Sequence, residues 1–203
     1  MNKAKIALSP KEMELVTNAE WILTKNAIMQ KAWWLLEDLQ VEVAARVEQL
    51  LATLPKEVLK TTAKISKGEN YKGLPYLVLD FPRCFDKDDI FAVRCMFWWG
   101  NFFSITLHLA GKYQKQYSGR LIRSYHLLVQ NGFFISVGDE QWEHHFDEPN
   151  YVEIGNMTET HFIEKIQSPA FIKIANKISV NEWDNARQKL SGYFELIMEI
   201  LSA

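Results

Sequence analysis

The stretch that decides the fold is FAVRCMFWWGNFFSITLHL, Phe91–Leu109, in which two apolar runs flank the dipeptide Gly100-Asn101. Both runs are rich in aromatic and β-branched residues, which favour strands. Glycine followed by asparagine tolerates the positive φ angles of a tight two-residue turn. The pattern therefore predicts a β-hairpin at the centre of a sheet.

The turn length determines which side chains share a face of this hairpin. A two-residue turn would pair Trp99 with Phe102, and successive strand residues would point to opposite faces. Arg94 would then lie on an otherwise apolar face. The opposite face would carry the polar side chains of Ser104, Thr106 and His108. Both faces are too apolar to meet water, so we expect helices or a partner chain to cover each one.

The segments on either side of the hairpin read as helices and further strands. Ser9-Pro10-Lys11-Glu12 is typical of a helix start, and a break is expected near residues 24–26, because one unbroken helix from 10 to 54 would be too long for a compact domain. Strands are predicted at 75–81, 90–99, 102–109, 132–138 and 151–155, with a helix inserted at 118–130 and helix starts near Asn156, Ser168 and Ser179.

This order of elements predicts an α+β fold. We expect a mainly antiparallel sheet of about five strands with the Gly-Asn hairpin at its centre, one inserted helix, and helices from both terminal segments covering the sheet. The chain would form one domain over residues 1–203, with a helical segment at 9–66, the sheet at 74–155 and a second helical segment at 157–203.

Composition narrows the classes of protein to consider. The 203 residues carry 23 Lys and Arg against 25 Asp and Glu, a net charge of −2, so nucleic-acid binding through bulk charge is not expected. Two cysteines, Cys84 and Cys95, are too few for a disulfide framework. We find neither a signal-peptide pattern nor an apolar window long enough to span a membrane. The expectation is a soluble cytoplasmic protein.

Charges are segregated along the chain. Residues 90–138 contain five basic and no acidic residues, whereas residues 124–164 contain eight acidic and no basic ones. Such segregation is sometimes functional. The simpler interpretation is that the two segments pack together and neutralise each other.

One candidate site lies in the sequence WEHHFDE, residues 142–148. Three of its side chains would point the same way in an extended chain and are of metal-ligating types. They are Glu143, His145 and Asp147. A further ligand could come from His108 or His161, although the spacing matches no established metal motif, and an exposed polar loop is the alternative.

A second candidate site is the basic and aromatic segment at 112–125. Arg120 and Arg123 are three residues apart near the start of the predicted helix, where both could reach an anion, and Tyr125 and its neighbours could stack on a base or sugar. The alternative is a solvated basic loop. If the segment is a binding site, its ligand would be a phosphate or a nucleotide.

Polar residues on the hairpin form the remaining candidate. Ser104 and His108 are about 13 Å apart along a strand, too far for a catalytic dyad. With Thr106 they could line a ligand cavity. Arg94, within an apolar strand, needs a bound anion or a carboxylate partner, for which the candidates are Glu37, Asp38 and Asp80.

These observations favour a non-catalytic binding or interaction protein for a partner protein or a small ligand. The alternatives are a metal-dependent hydrolase or oxygenase at 143–147 and a phosphate-ligand binder at 112–125. No cofactor is expected apart from a divalent metal in the first alternative. The tandem tryptophans at 33–34 and 98–99 also make a homodimer plausible, because neighbouring side chains point to different sides.

Overall fold

An antiparallel sheet forms the centre of the fold, seen in a computed structural model that describes residues 6–50, 53–167 and 170–202. The strands within these ranges are Lys64–Tyr71 (β1), Leu74–Phe85 (β2), Ile90–Trp98 (β3), Phe102–Ala110 (β4), Phe134–Ser136 (β5), Tyr151–Glu153 (β6) and Phe171–Ser179 (β7). Their order across the sheet is β1-β2-β3-β4-β7-β5-β6. The α+β class is confirmed, but the described residues hold seven strands rather than about five.

Helices precede, interrupt and follow the strands. They are Pro10–Thr17 (α1), Ala19–Gln49 (α2), Lys56–Leu59 (α3), Lys112–Arg123 (α4), Tyr125–Gln130 (α5), Glu159–Gln167 (α6) and Trp183–Ser202 (α7). The helix start at Ser9 is confirmed by a capping box with Glu12. The break expected at residues 24–26 is wrong: it lies at Asn18, whose side chain caps α2 by accepting a bond from the Trp21 amide. Among the described residues, no helix is both long and apolar enough to cross a membrane.

Two strands were not predicted. β1 occupies a segment taken for the end of a helix and a loop, and β7 follows the expected helix start at Ser168, which lies outside the described residues. In β7, Ile172 and Ile174 alternate with Lys173 and Ala175, a period of two that is typical of strands. The strand pairs with β4 along its whole length and so joins the hairpin to β5.

The predicted register of the central hairpin is wrong by one residue. Trp98, not Trp99, pairs with Phe102, so the turn has three residues. Gly100 adopts a φ of 72°, which costs glycine little, and the Asn101 amide donates to the Trp98 carbonyl at 3.1 Å. The faces of β4 are therefore exchanged relative to β3, as expected for a longer turn.

The corrected register separates one largely apolar face from one polar face. The apolar face packs against α2, α4 and α7. In the core that they form, Phe97, Phe103 and Ile105 of the sheet join Leu36 of α2 and Phe194 of α7. This covering by helices agrees with the expectation. The polar face instead lies partly under residues 137–150, the segment between β5 and β6, which we name the cover loop.

Candidate functional site

The polar face of the sheet collects side chains that the sequence had assigned to opposite faces. Arg94 pairs across the strands with both Asp80 and Thr106, and His108 pairs with Lys173. Ser104 lies on the same face of β4. The ligand residues predicted on the hairpin therefore share one face, although Ser104, Thr106 and His108 are all buried.

Arg94 is held by two neighbours. Its Nε and Nη2 donate to the two carboxylate oxygens of Asp80 at 2.7 and 2.9 Å, a bidentate pair. Its Nη1 lies 3.0 Å from Nε2 of His144 in the cover loop. Since arginine can only donate, this imidazole nitrogen accepts, and the ring proton of neutral His144 is on Nδ1. Asp80, one of three predicted partners, is thus confirmed as the partner of Arg94.

Tyr71, at the end of β1, anchors the cover loop through its hydroxyl. The oxygen accepts bonds from the amides of His144 and His145 at 2.6 and 3.0 Å and lies 2.9 Å from Oε2 of Glu143, to which it donates. Burial, reinforced by the Glu143 charge, raises the pKa of Tyr71 to about 12. The hydroxyl therefore keeps its proton and remains a donor to Glu143.

Lys173 holds the loop from below. Its side chain is buried, and Nζ donates to the main-chain carbonyls of Gln141, at 3.1 Å, and Glu143. Phe146 adds an apolar anchor, since its ring stacks on Tyr151 with a centroid separation of 4.6 Å. The cover loop is therefore packed onto the sheet and is not the exposed polar loop that the sequence suggested.

Burial and two cations, Arg94 and Lys173, shift the pKa values of the groups on this face. Burial and then the charge of Arg94 lower the pKa of Lys173 to about 8. Burial and the charges of Arg94 and Lys173 lower the pKa of His144 to about 2, and burial with the same two charges lowers that of His108 to about 3. Both histidines are therefore neutral at pH 7. Among the described residues, Asp80 is the only carboxylate that bonds directly to Arg94 or Lys173.

An open pocket of about 280 Å³ remains beside the cover loop, and we name it the Arg94 pocket. It is lined by Ser66, Lys67, Tyr71, Tyr76, Val78, Asp80, Arg94, Trp142 and His144. Tyr76 takes its place because β1 has a glycine opposite it: a Cβ on Gly68 would lie 2.4 Å from the tyrosine ring. The pocket thus has aromatic walls and an ionic inner end.

The predicted metal ligands come together only in part. Nδ1 of His145 lies 2.7 Å from Oε2 of Glu143, but Asp147 is exposed and His144 turns to Arg94. His108, proposed as a further ligand, packs against Trp142, and His161 pairs with Glu164 on α6. Within residues 6–50, 53–167 and 170–202, no group of three or more His, Cys, Asp or Glu side chains is arranged to hold a metal ion.

The predicted anion site at Arg120 and Arg123 rests on a helix start that is wrong. α4 begins at Lys112, so both arginines lie in its last turn, where the helix dipole favours cations rather than anions. Arg120 donates to the carbonyl of Leu201 at the end of α7, and the Tyr125 hydroxyl donates to the Met157 carbonyl at 2.8 Å. These residues lie on the helical side, away from the Arg94 pocket.

The segregated charges do not neutralise each other through ion pairs. Arg94 pairs with Asp80, and Lys112 lies near Glu57 and Asp89. In the part of the chain that the structure describes, no ion pair joins the five basic residues of 90–138 to the eight acidic residues of 124–164. The two segments are instead joined by other contacts, among them Arg94 with His144 and His108 with Trp142.

Several residues of the site were missed because they lie far apart in the sequence. Tyr71 is 73 residues from His144, and Lys173 is 32 residues from Gln141. One signal was available. Lys173 alternates with isoleucines, which predicts a strand whose lysine faces away from the isoleucines, and in the structure this lysine pairs with His108.

Comparison of this chain with family models, with curated proteins and with solved structures finds no match.

Proposed function

We propose that this protein binds a small organic anion with a flat ring in the Arg94 pocket and that it does so without catalysing a reaction. The observation that carries the proposal is the placement of Arg94, which is fixed by Asp80 and His144 and still lines an open pocket. A guanidinium whose orientation is already set loses little entropy when it binds a carboxylate or phosphate.

Charge supports an anionic ligand. The half-buried Arg94 and the buried Lys173 supply two cations near one buried carboxylate, Asp80. Burial lowers the pKa values of His144 and Lys173, and the positive charge of Arg94 lowers both further. An incoming anion would offset it.

The shape of the pocket supports a flat ring. Tyr71, Tyr76 and Trp142 form its sides, and Val78 forms part of its floor. Aromatic side chains pack well against a planar ring, either stacked or edge to face. At about 280 Å³ the pocket is slightly smaller than the usual range for small-molecule sites, about 300–1,000 Å³, which favours a ligand of one ring.

A pair of probes tests the proposal. Benzoate and the neutral benzamide have nearly the same shape, so a difference between them reports the charge requirement. We expect benzoate to bind with a Kd of about 1 mM, as suits a ligand of this size, and benzamide to bind at least about tenfold more weakly. Titration of the full chain followed by two-dimensional NMR would measure both, with the His144 amide and the Trp142 indole as reporters.

Matched variants locate the site. Arg94→Lys keeps the charge but loses the fork geometry and should weaken benzoate binding by about tenfold or more. Arg83→Lys is the control, because Arg83 also lies on the sheet but donates to the Thr62 carbonyl and is absent from the pocket lining. Equal binding of benzoate and benzamide, or equal effects of the two arginine variants, would contradict the proposal.

A further inference from the structure

The N-terminal helices expose an apolar surface that the proposed ligand site does not explain. We name residues 6–24 the N-terminal arm; it contains α1 and the first turns of α2. Every residue of the arm is exposed, and the first buried residue of α2 is Ala32. Of the twelve large apolar side chains that are exposed among the described residues, eight belong to the arm: Ile6, Leu8, Met13, Leu15, Val16, Trp21, Ile22 and Leu23.

The arm is apolar on more than one side. Leu15 and Val16 are adjacent, and Trp21, Ile22 and Leu23 are consecutive, so these side chains are spread by about 100° per residue around their helices. α1 has only eight residues and no buried side chain. A helix of that length is marginal by itself in water and needs packing to persist.

A groove runs between the two helices of the arm. Its volume is about 600 Å³, and it is lined by Leu8, Glu12, Leu15, Val16, Asn18, Ala19, Trp21 and Ile22. Met13 and Leu23 are exposed but do not line it. The arm thus carries both an apolar groove and apolar side chains outside the groove, which is what a self-complementary interface requires.

The area and charge of the arm select its occupant. From their exposed fractions, the eight side chains present roughly 900 Å² to solvent, close to the ~800 Å² that each partner contributes to a standard interface. Residues 1–24 contain three lysines and three glutamates, so the segment lacks the basic excess of helices that bind anionic membranes. We infer that two copies of this chain form a dimer by packing their N-terminal arms against each other around a two-fold axis.

Sedimentation velocity on the full chain tests this dimer. Between about 1 and about 100 µM the chain should pass from monomer to dimer. Val16→Lys places a charge in the interface and should raise the dimer Kd by about tenfold or more. Val41→Lys is the matched control: both valines are on helices and are 68% and 70% exposed, but Val41 lies outside the arm, so its replacement should change the Kd less than about twofold.

Hydrogen exchange gives a second readout at the arm itself. Amides of residues 11–23 should become protected as the concentration of the chain rises, and Val16→Lys should abolish that protection while the sheet amides stay protected. A chain that remains monomeric at about 100 µM overturns the inference, as does a dimer equally sensitive to both valine variants. Flotation of the chain with vesicles of neutral or anionic lipid, lost in Val16→Lys, would assign the arm to a membrane surface and would also overturn it.

Discussion

Replacing Arg94 with methionine should destabilise the fold by about 3 kcal/mol, because the substitution leaves the Asp80 carboxylate without its partner. The side chains of Arg94 and Asp80 are only 17% and 10% exposed and are joined by bonds of 2.7 and 2.9 Å. Breaking a buried pair costs about 3–5 kcal/mol, and the residual exposure of this pair places the expected loss at the lower end. Domains are typically stable by about 5–15 kcal/mol, so the variant should remain folded but be clearly weakened.

Urea unfolding at pH 7 measures this loss. The double variant Asp80→Leu/Arg94→Met removes both charges and should recover to within about 1 kcal/mol of the wild type. Arg46→Met is the surface control: Arg46 lies 2.6 Å from Glu195, but these side chains are 30% and 50% exposed, so the loss should not exceed about 1 kcal/mol. If Arg94→Met costs no more than Arg46→Met, burial does not govern the energy of the Arg94 pair and the reasoning is refuted.

Three further predictions concern the cover loop, the buried histidines and one turn. Tyr71→Phe removes the hydroxyl that accepts bonds from two amides of the cover loop. Hydrogen exchange at residues 141–147 should therefore speed up by about tenfold, which corresponds to about 1–2 kcal/mol. Unchanged exchange would show that the hydroxyl does not hold the loop. The pKa of His108 is lowered in the fold to about 3 from the ordinary 6.5, so the unfolded chain takes up a proton that the fold refuses, and stability should be lost as the pH falls from 6.5 towards 3. His108→Phe should reduce the slope of unfolding free energy against pH by up to about 1.4 kcal/mol per pH unit. Urea unfolding measures this slope, and His161→Gln is the surface control. An unchanged slope in His108→Phe would contradict the conclusion that the fold keeps His108 neutral. Gly111→Ala should cost at least about 2 kcal/mol more than Gly132→Ala in thermal unfolding. Both glycines have positive φ, but a Cβ on Gly111 would meet other atoms at 2.2 and 2.3 Å, whereas a Cβ on Gly132 would meet nothing within 4 Å. Equal costs for the two variants would show that crowding plays no part.

Local signals in the sequence predicted much of the fold. The capping box at Ser9 and the two runs around Gly100 both appear where they were expected. Each depends on residues that are close together in the chain. The need of Arg94 for a carboxylate also followed from desolvation alone, and Asp80 supplies it.

Features set by tertiary packing could not be predicted in the same way. A Gly-Asn dipeptide is compatible with turns of two or three residues, and only the pairing of Trp98 with Phe102 decides between them. The bonds of Lys173 are made to main-chain carbonyls, which leave no trace in the identity of the residues that supply them. The loop that covers half of the site was therefore taken for an ordinary exposed segment.

The three-residue turn of the central hairpin has a consequence for how this chain could evolve. Residue types within the turn can drift as long as Gly100 keeps its backbone conformation, but the number of residues cannot. Loss of a single turn residue would rotate β4 by half a period relative to β3 and would turn His108 towards the helices and Leu107 towards the cover loop. Descendants of this sequence should therefore accumulate substitutions between Trp98 and Phe102, whereas insertions and deletions there should be eliminated. The length of this turn should thus be better conserved among related sequences than the residue types within it.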